Sequence, residues 1–159
     1  MDRRWNFKSM AFHILVPIML LFIVMMLIPD YTVYYDSLKK YVPYLSKLVF
    51  IIIYGLMYLI MGIAGYLVEE GDVKKEEKQS AFNSYYLQLL INLLWLPILF
   101  GFRHLLFGFL WVVFLLVMVF MTYRKFMRIS STAGYLFLVY FIITLFFTYY
   151  TLGLYLLNR

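Results

Sequence analysis

Cysteine is absent from the 159-residue chain, which excludes disulfide staples and thiolate metal centres and leaves the redox compartment open. Acidic residues number only eight. All of them (Asp2, Asp30, Asp36, Glu69, Glu70, Asp72, Glu76 and Glu77) lie outside the apolar runs or at their ends. Proton-moving pumps and transporters rely on ionisable side chains inside the membrane, so this distribution speaks against that class. Histidine occurs twice. His13, inside the first apolar run, has no second ligand near it and reads as an interfacial or helix-contact residue without chemistry of its own. There is no nucleophile paired with a base, no glycine-rich phosphate loop and no metal-ligand cluster, so acid–base catalysis by protein side chains is disfavoured. Of the four prolines, Pro17 and Pro97 fall within apolar runs, where each removes a backbone donor and is expected to kink a helix.

What the chain does have is apolar length. Hydrophobic residues make up 65% and aromatic residues 22% of it, and the mean hydropathy of +0.87 is too high for a soluble domain of this size. Five runs, at about 10–28, 45–68, 82–101, 105–123 and 133–157, each approach the roughly 20 residues a spanning helix needs. They lack the alternation of a membrane barrel. The expectation is therefore all-α: one polytopic domain over 1–159, a bundle of five transmembrane helices. The first run follows Arg3, Arg4 and Lys8 like the core of a signal peptide, but no small-residue cleavage site follows it, and it reads as a retained helix ending at Pro29–Asp30. The run EEGDVKKEEKQS from Glu69 reads as a solvated loop and gives no reason to expect nucleic-acid binding. With five spans, Arg3, Arg4, Lys8, Lys74, Lys75, Lys78, Arg124, Lys125 and Arg128 fall on one side of the membrane, against Lys39, Lys40, Lys47, Arg103 and Arg159 on the other. The amino terminus is then expected in the cytoplasm.

Polar residues inside the runs form two stripes. Gln88, Asn92 and Trp95 are spaced by four and three, so they share one helix face, two residues before Pro97. Tyr140, Thr144, Thr148, Thr151 and Tyr155 form a hydroxyl-bearing face on the last run. The amides need partners in an apolar medium, and neighbouring helices can supply them. Threonine hydroxyls can bond back to their own helix. Gly55, Gly62 and Gly65 form a small-residue stripe suited to close helix packing within the chain.

The pattern Tyr86, Gln88, Leu89, Asn92, Trp95, Phe100 and Gly101 resembles the third-helix signature of the translocator-protein family, also called TspO or tryptophan-rich sensory proteins. Tyr54, Gly55, Tyr58, Met61, Gly62, Ala64, Gly65 and Tyr66 are similar to its second helix, and Phe126, Arg128, Ser130, Ala133 and Gly134 to its link into helix five. Tyr35, Asp36, Leu38 and Lys40 match its first loop, which then departs at 41–46 from the family's proline–tryptophan pattern. In helix five, Tyr140, Phe146, Thr148, Leu157 and Asn158 fit, whereas Val139, Ile143, Phe147 and Thr151 replace a proline, a tryptophan, an alanine and an asparagine.

The resemblance implies a five-helix bundle, usually a homodimer, that takes porphyrins and related tetrapyrroles, and often sterols, from among hydrophobic ligands. No obligatory cofactor is implied. It implies a ligand site at Gln88, Asn92, Trp95, Tyr54, Tyr58, Tyr140, Ile143, Phe147 and Thr151, under a first-loop lid with Tyr35, Asp36 and Lys40. Membrane lipid is the remaining partner, and a bacterial cell membrane the expected setting. Two alternatives stand beside ligand binding. One is a scaffold or regulatory bundle whose pocket is reduced by Ile143 and Phe147. The other is light-dependent porphyrin breakdown, in which the pigment supplies the photochemistry.

Overall fold

The computed structural model describes residues 6–28, 30–40 and 46–159. Arg3, Arg4, Pro29 and the divergent stretch 41–45 lie outside the described residues. Among the described residues there are six α-helices and no strand: α1 (Phe7–Met26), α2 (Tyr31–Ser37), α3 (Lys47–Glu69), α4 (Lys75–Leu96), α5 (Leu105–Ile129) and α6 (Ser131–Leu157), with a π-helical turn, Pro97–Gly101, closing α4. Five of them are long and apolar enough to cross a membrane. The helices pack in the cyclic order α1, α3, α6, α5, α4, with α5 against α6 the most extensive seam and α1 against α4 a thin one.

Three elements differ from the sequence expectation. The charged run after Glu69 is loop only as far as Lys74, because α4 starts at Lys75 with Glu76 and Glu77 in its first turn, where carboxylates favour the positive end of the helix dipole. A Gln79–Asn83 side-chain bond of 2.8 Å supports that first stretch. The link into the last helix shrinks to Ser130, since α5 carries Arg124, Lys125 and Arg128 within it, and the Ser130 hydroxyl caps α6 by accepting from the Ala133 amide. Within the first connection, Tyr31–Ser37 is helical.

The π-helical turn is what becomes of the expected kink at Pro97. Proline offers no N–H to the carbonyl one turn back, and the backbone regains its hydrogen bonding with a wider loop in which Phe102 N–H donates to the Pro97 carbonyl at 2.8 Å. By contrast α1 runs unbroken through Pro17.

Apolar residues surround α5 on every side, but only Leu105, Gly108, Val112, Leu115, Val119, Thr122 and Phe126 are buried. Their spacings alternate three and four, the seam of helices packed nearly parallel. Gly134 on α6 lets the two backbones meet, since a side-chain carbon there would lie 2.7 Å from Met127 Cα. On α3, Gly62 does the same for α1: a Cβ would sit 2.6 Å from the His13 carbonyl oxygen. The outer faces, including Phe107, Leu110 and Phe114, remain exposed, as suits side chains that meet lipid.

Candidate ligand site

Gln88 and Asn92 are fully buried on α4, and every polar atom of Asn92's side chain is engaged. Its Oδ1 accepts from the Tyr54 hydroxyl at 2.7 Å and the Tyr58 hydroxyl at 3.0 Å, and its Nδ2 donates to the Tyr140 hydroxyl at 2.6 Å. Tyr140 in turn donates to Gln88 Oε1 at 3.0 Å, and Gln88 Nε2 reaches Met61 Sδ at 3.4 Å. One asparagine thus ties α3, α4 and α6 together. The amides find protein partners, and this network is complete without a ligand.

One turn further along α4 the chemistry changes from polar to aromatic. Trp95 is stacked on Tyr54 at 5.8 Å between ring centres, with Phe50 beyond at 6.4 Å, and meets Phe147 at 5.7 Å and Phe100 at 6.4 Å edge-on. Its indole nitrogen is buried and, among the described residues, has no hydrogen-bond acceptor. An orphan N–H in such surroundings costs roughly 1–3 kcal/mol. Phe50, Tyr54 and Phe100 form one wall of a small apolar cavity of about 90 Å³, lined on the other side by Leu21 and Met25 of α1 and by Ile28 just beyond its end. Gly55 also lines it, and a Cβ added there would meet nothing within 4 Å. The glycine stripe therefore divides, with Gly62 and Gly65 packing against α1 while Gly55 leaves a slot beside the aromatic box.

Phe147 is buried from α6 against Phe50, Tyr54 and Trp95. Thr151, also buried, donates to the Phe147 carbonyl at 2.7 Å, and Thr144 and Thr148 bond back in the same way at 2.9 and 2.8 Å. Ile143 is half-buried against the core. Of the sequence-named site residues, then, Tyr54, Tyr58, Gln88, Asn92 and Tyr140 form one network, Trp95 and Phe147 join Tyr54 in the aromatic box, and Ile143 and Thr151 stand at the α6 wall.

The first-loop residues sit at the mouth of this box. The Tyr35 hydroxyl is 2.9 Å from that of Tyr150, and the Tyr35 ring packs on Phe50 and Phe100. Burial pushes the Tyr35 phenol above its ordinary pKa, partly offset by the Tyr150 bond, so it is neutral at physiological pH. The Lys40 ammonium lies 4.6 Å above the Tyr35 ring, and Asp36 pairs with Lys47 at the start of α3. Asn158 fastens the loop to the end of α6, exchanging two 2.9 Å bonds with the Lys39 backbone.

Sequence reasoning misses Phe50, Tyr150 and Met61 as site residues. Phe50 had a readable signal, standing four residues before Tyr54 and eight before Tyr58, on the same helix face. The sequence model of the TspO/MBR family matches residues 5–156. No curated protein matches the chain.

Proposed function

This chain belongs to the TspO/MBR family and is an integral, multi-pass membrane protein, and from that premise we propose that it binds a flat, amphipathic aromatic ligand, a porphyrin or related tetrapyrrole foremost, against Trp95. The observation that carries this reading is the orphan indole N–H of Trp95, buried behind the rings of Phe50, Tyr54 and Phe100, which line an apolar slot on their other side. A ligand carbonyl or carboxylate would satisfy that donor while its ring system extends the Tyr54–Trp95 stack. Sterols fit the same apolar walls without engaging the indole. Entry would be from the lipid side past Gly55, with Phe50 and Phe147 turning aside. A homodimer and a cytoplasmic amino terminus in a bacterial cell membrane complete the proposal.

The cavity's size favours a second reading. About 90 Å³ is well under the roughly 300–1,000 Å³ of ordinary ligand pockets. A bundle whose pocket is filled by Phe147 would serve as a scaffolding or regulatory partner. The two part in one titration of the purified protein with protoporphyrin in darkness. Ligand binding predicts quenching of tryptophan emission that Trp95→Phe largely removes. Silence towards protoporphyrin and other flat aromatic compounds would give the scaffold reading its place. Illuminating the same samples tests breakdown: porphyrin absorbance lost only with the protein present would assign it.

A further inference from the structure

One face of α3 carries a cation at its head and a gap at its foot. Lys47, Phe50, Ile51, Tyr54 and Gly55 follow one another at alternating spacings of three and one, so they form a single helical stripe. Phe50, Ile51, Tyr54 and Gly55 line the slot of about 90 Å³, and Lys47, Phe50 and Ile51 line a second, smaller apolar hollow of about 10 Å³. The two share Tyr31, Phe50, Ile51 and Phe100, which makes them one furrow. At its inner end a Cβ on Gly55 would meet nothing within 4 Å, and Ile51, 40% exposed, leaves its flank open to lipid.

We propose that this furrow holds one acyl chain of an anionic phospholipid, with the lipid's head on Lys47 and its chain running past Ile51 to Gly55. Size, direction and charge favour this occupant. One benzene ring needs a cavity of about 150 Å³, so a slot of about 90 Å³ takes only a chain while Phe50 and Tyr54 stand where they are. The stripe also runs the way a lipid does. From Lys47 to Gly55 the helix rises about 12 Å, within the roughly 15 Å of hydrocarbon in one leaflet.

Charge selects the head. The Lys47 ammonium pairs with the Asp36 carboxylate, and the Lys40 ammonium donates to the Asp36 and Leu38 backbone carbonyls at 3.4 and 3.2 Å. Among the described residues, two cations thus gather around one carboxylate, and one positive charge is left unmatched at the furrow's mouth. Lys39 adds an exposed cation on the same connection, whereas the carboxylate of Asp30 stands at the opposite end of α2. Lys47 is also the first residue of α3, at the positive end of the helix dipole, where an anion is favoured. The side chains of Lys47 and Asp36 are 42% and 54% exposed, and an ion pair so open contributes little, so a lipid phosphate can join Lys47 in place of Asp36. Lipid tails are as apolar as the furrow, so the chain alone sets no strong preference for this place. The ammonium sets it. Such a lipid would stand in a porphyrin's way past Gly55, yet its binding does not depend on the porphyrin reading.

The experiment uses the full chain in nanodiscs containing a photoactivatable phospholipid with a diazirine midway along one acyl chain, offered with either a phosphatidylglycerol or a phosphatidylcholine head. After irradiation, peptide mass spectrometry should place the label on the furrow, at Met25, Ile51 or Gly55, about fivefold more often from phosphatidylglycerol. Lys47→Gln changes a half-exposed side chain at a helix start and should keep the fold while removing that preference. Gly55→Leu should remove furrow labelling by both lipids. Absence of label from the furrow, equal labelling by the two heads, or a preference that survives Lys47→Gln would each overturn the proposal. No porphyrin is added, so failure here and failure of the porphyrin titration are read separately.

Discussion

Asn92 shows how much one side chain can hold in an apolar medium. It accepts from two phenols and donates to a third, so Asn92→Leu removes three hydrogen bonds at once and takes the Tyr58 hydroxyl's acceptor away, while Tyr140 keeps Gln88 and Tyr54 keeps the backbone carbonyl of residue 92 at 3.3 Å. Each orphan left buried costs roughly 1–3 kcal/mol before rearrangement, and the melting midpoint should drop by several degrees, more than for Gln88→Leu. Phe147 works in the opposite direction for stability and for binding. Phe147→Ala should cost about 3–5 kcal/mol of stability through the cavity it leaves. The same cavity should admit a porphyrin, and relief of roughly 1–3 kcal/mol of crowding corresponds to a gain in affinity of about tenfold or more. Tighter binding by the native protein than by Phe147→Ala would mean that the phenyl ring is a stacking wall.

Among the elements, the α1–α3 seam makes the sharpest claim. Gly62→Val would drive a side chain into the α1 backbone, and the variant should melt well below the native protein. Gly55→Leu faces empty space. It should fold normally while abolishing porphyrin quenching, because it fills the slot lined by Phe50, Tyr54 and Phe100. The spans, the Gln88–Asn92–Trp95 face and the α6 hydroxyl stripe were legible in the sequence because each is a periodicity within one helix. The partners of Asn92 were not, because which tyrosines meet it depends on how α3 and α6 rotate against α4. Nor was α2: seven residues are too few to sustain a helix alone, so its stability comes from contacts such as Tyr35 with Phe50. The α5 seam hid for another reason, since a helix apolar all round conceals which stripe is buried.

For the whole molecule, the helices sort their ends into two clear groups. Lys125 bonds Ser80 and Ser84 at one end, and Asn158 holds Lys39 at the other. A single cysteine in an otherwise cysteine-free chain can therefore report orientation. Asp72, exposed in the α3–α4 loop, suits the probe, whereas a side chain at the adjacent Gly71 would strike Ile129 Cγ2. Asp72→Cys should resist impermeant maleimide in intact cells and react once they are opened; ready labelling from outside would invert the topology. Mass measurement in mild detergent should find two chains, and a monomer that persists at high density in nanodiscs would remove the dimer.

The wide turn at Pro97–Gly101 can also be described as an insertion preserved in the backbone. A hydrogen bond closed over five residues takes up one residue more than the regular ladder does, and that surplus is absorbed on the spot. Deleting Ile98 should let the ladder close at ordinary pitch while the residues on either side keep their phase. Deleting Leu87 would instead turn one half of α4 by about 100° against the other and scatter the Gln88–Asn92–Trp95 face. The chain should thus tolerate losing a residue at 98 far better than at 87, a difference measurable as the yield of folded protein.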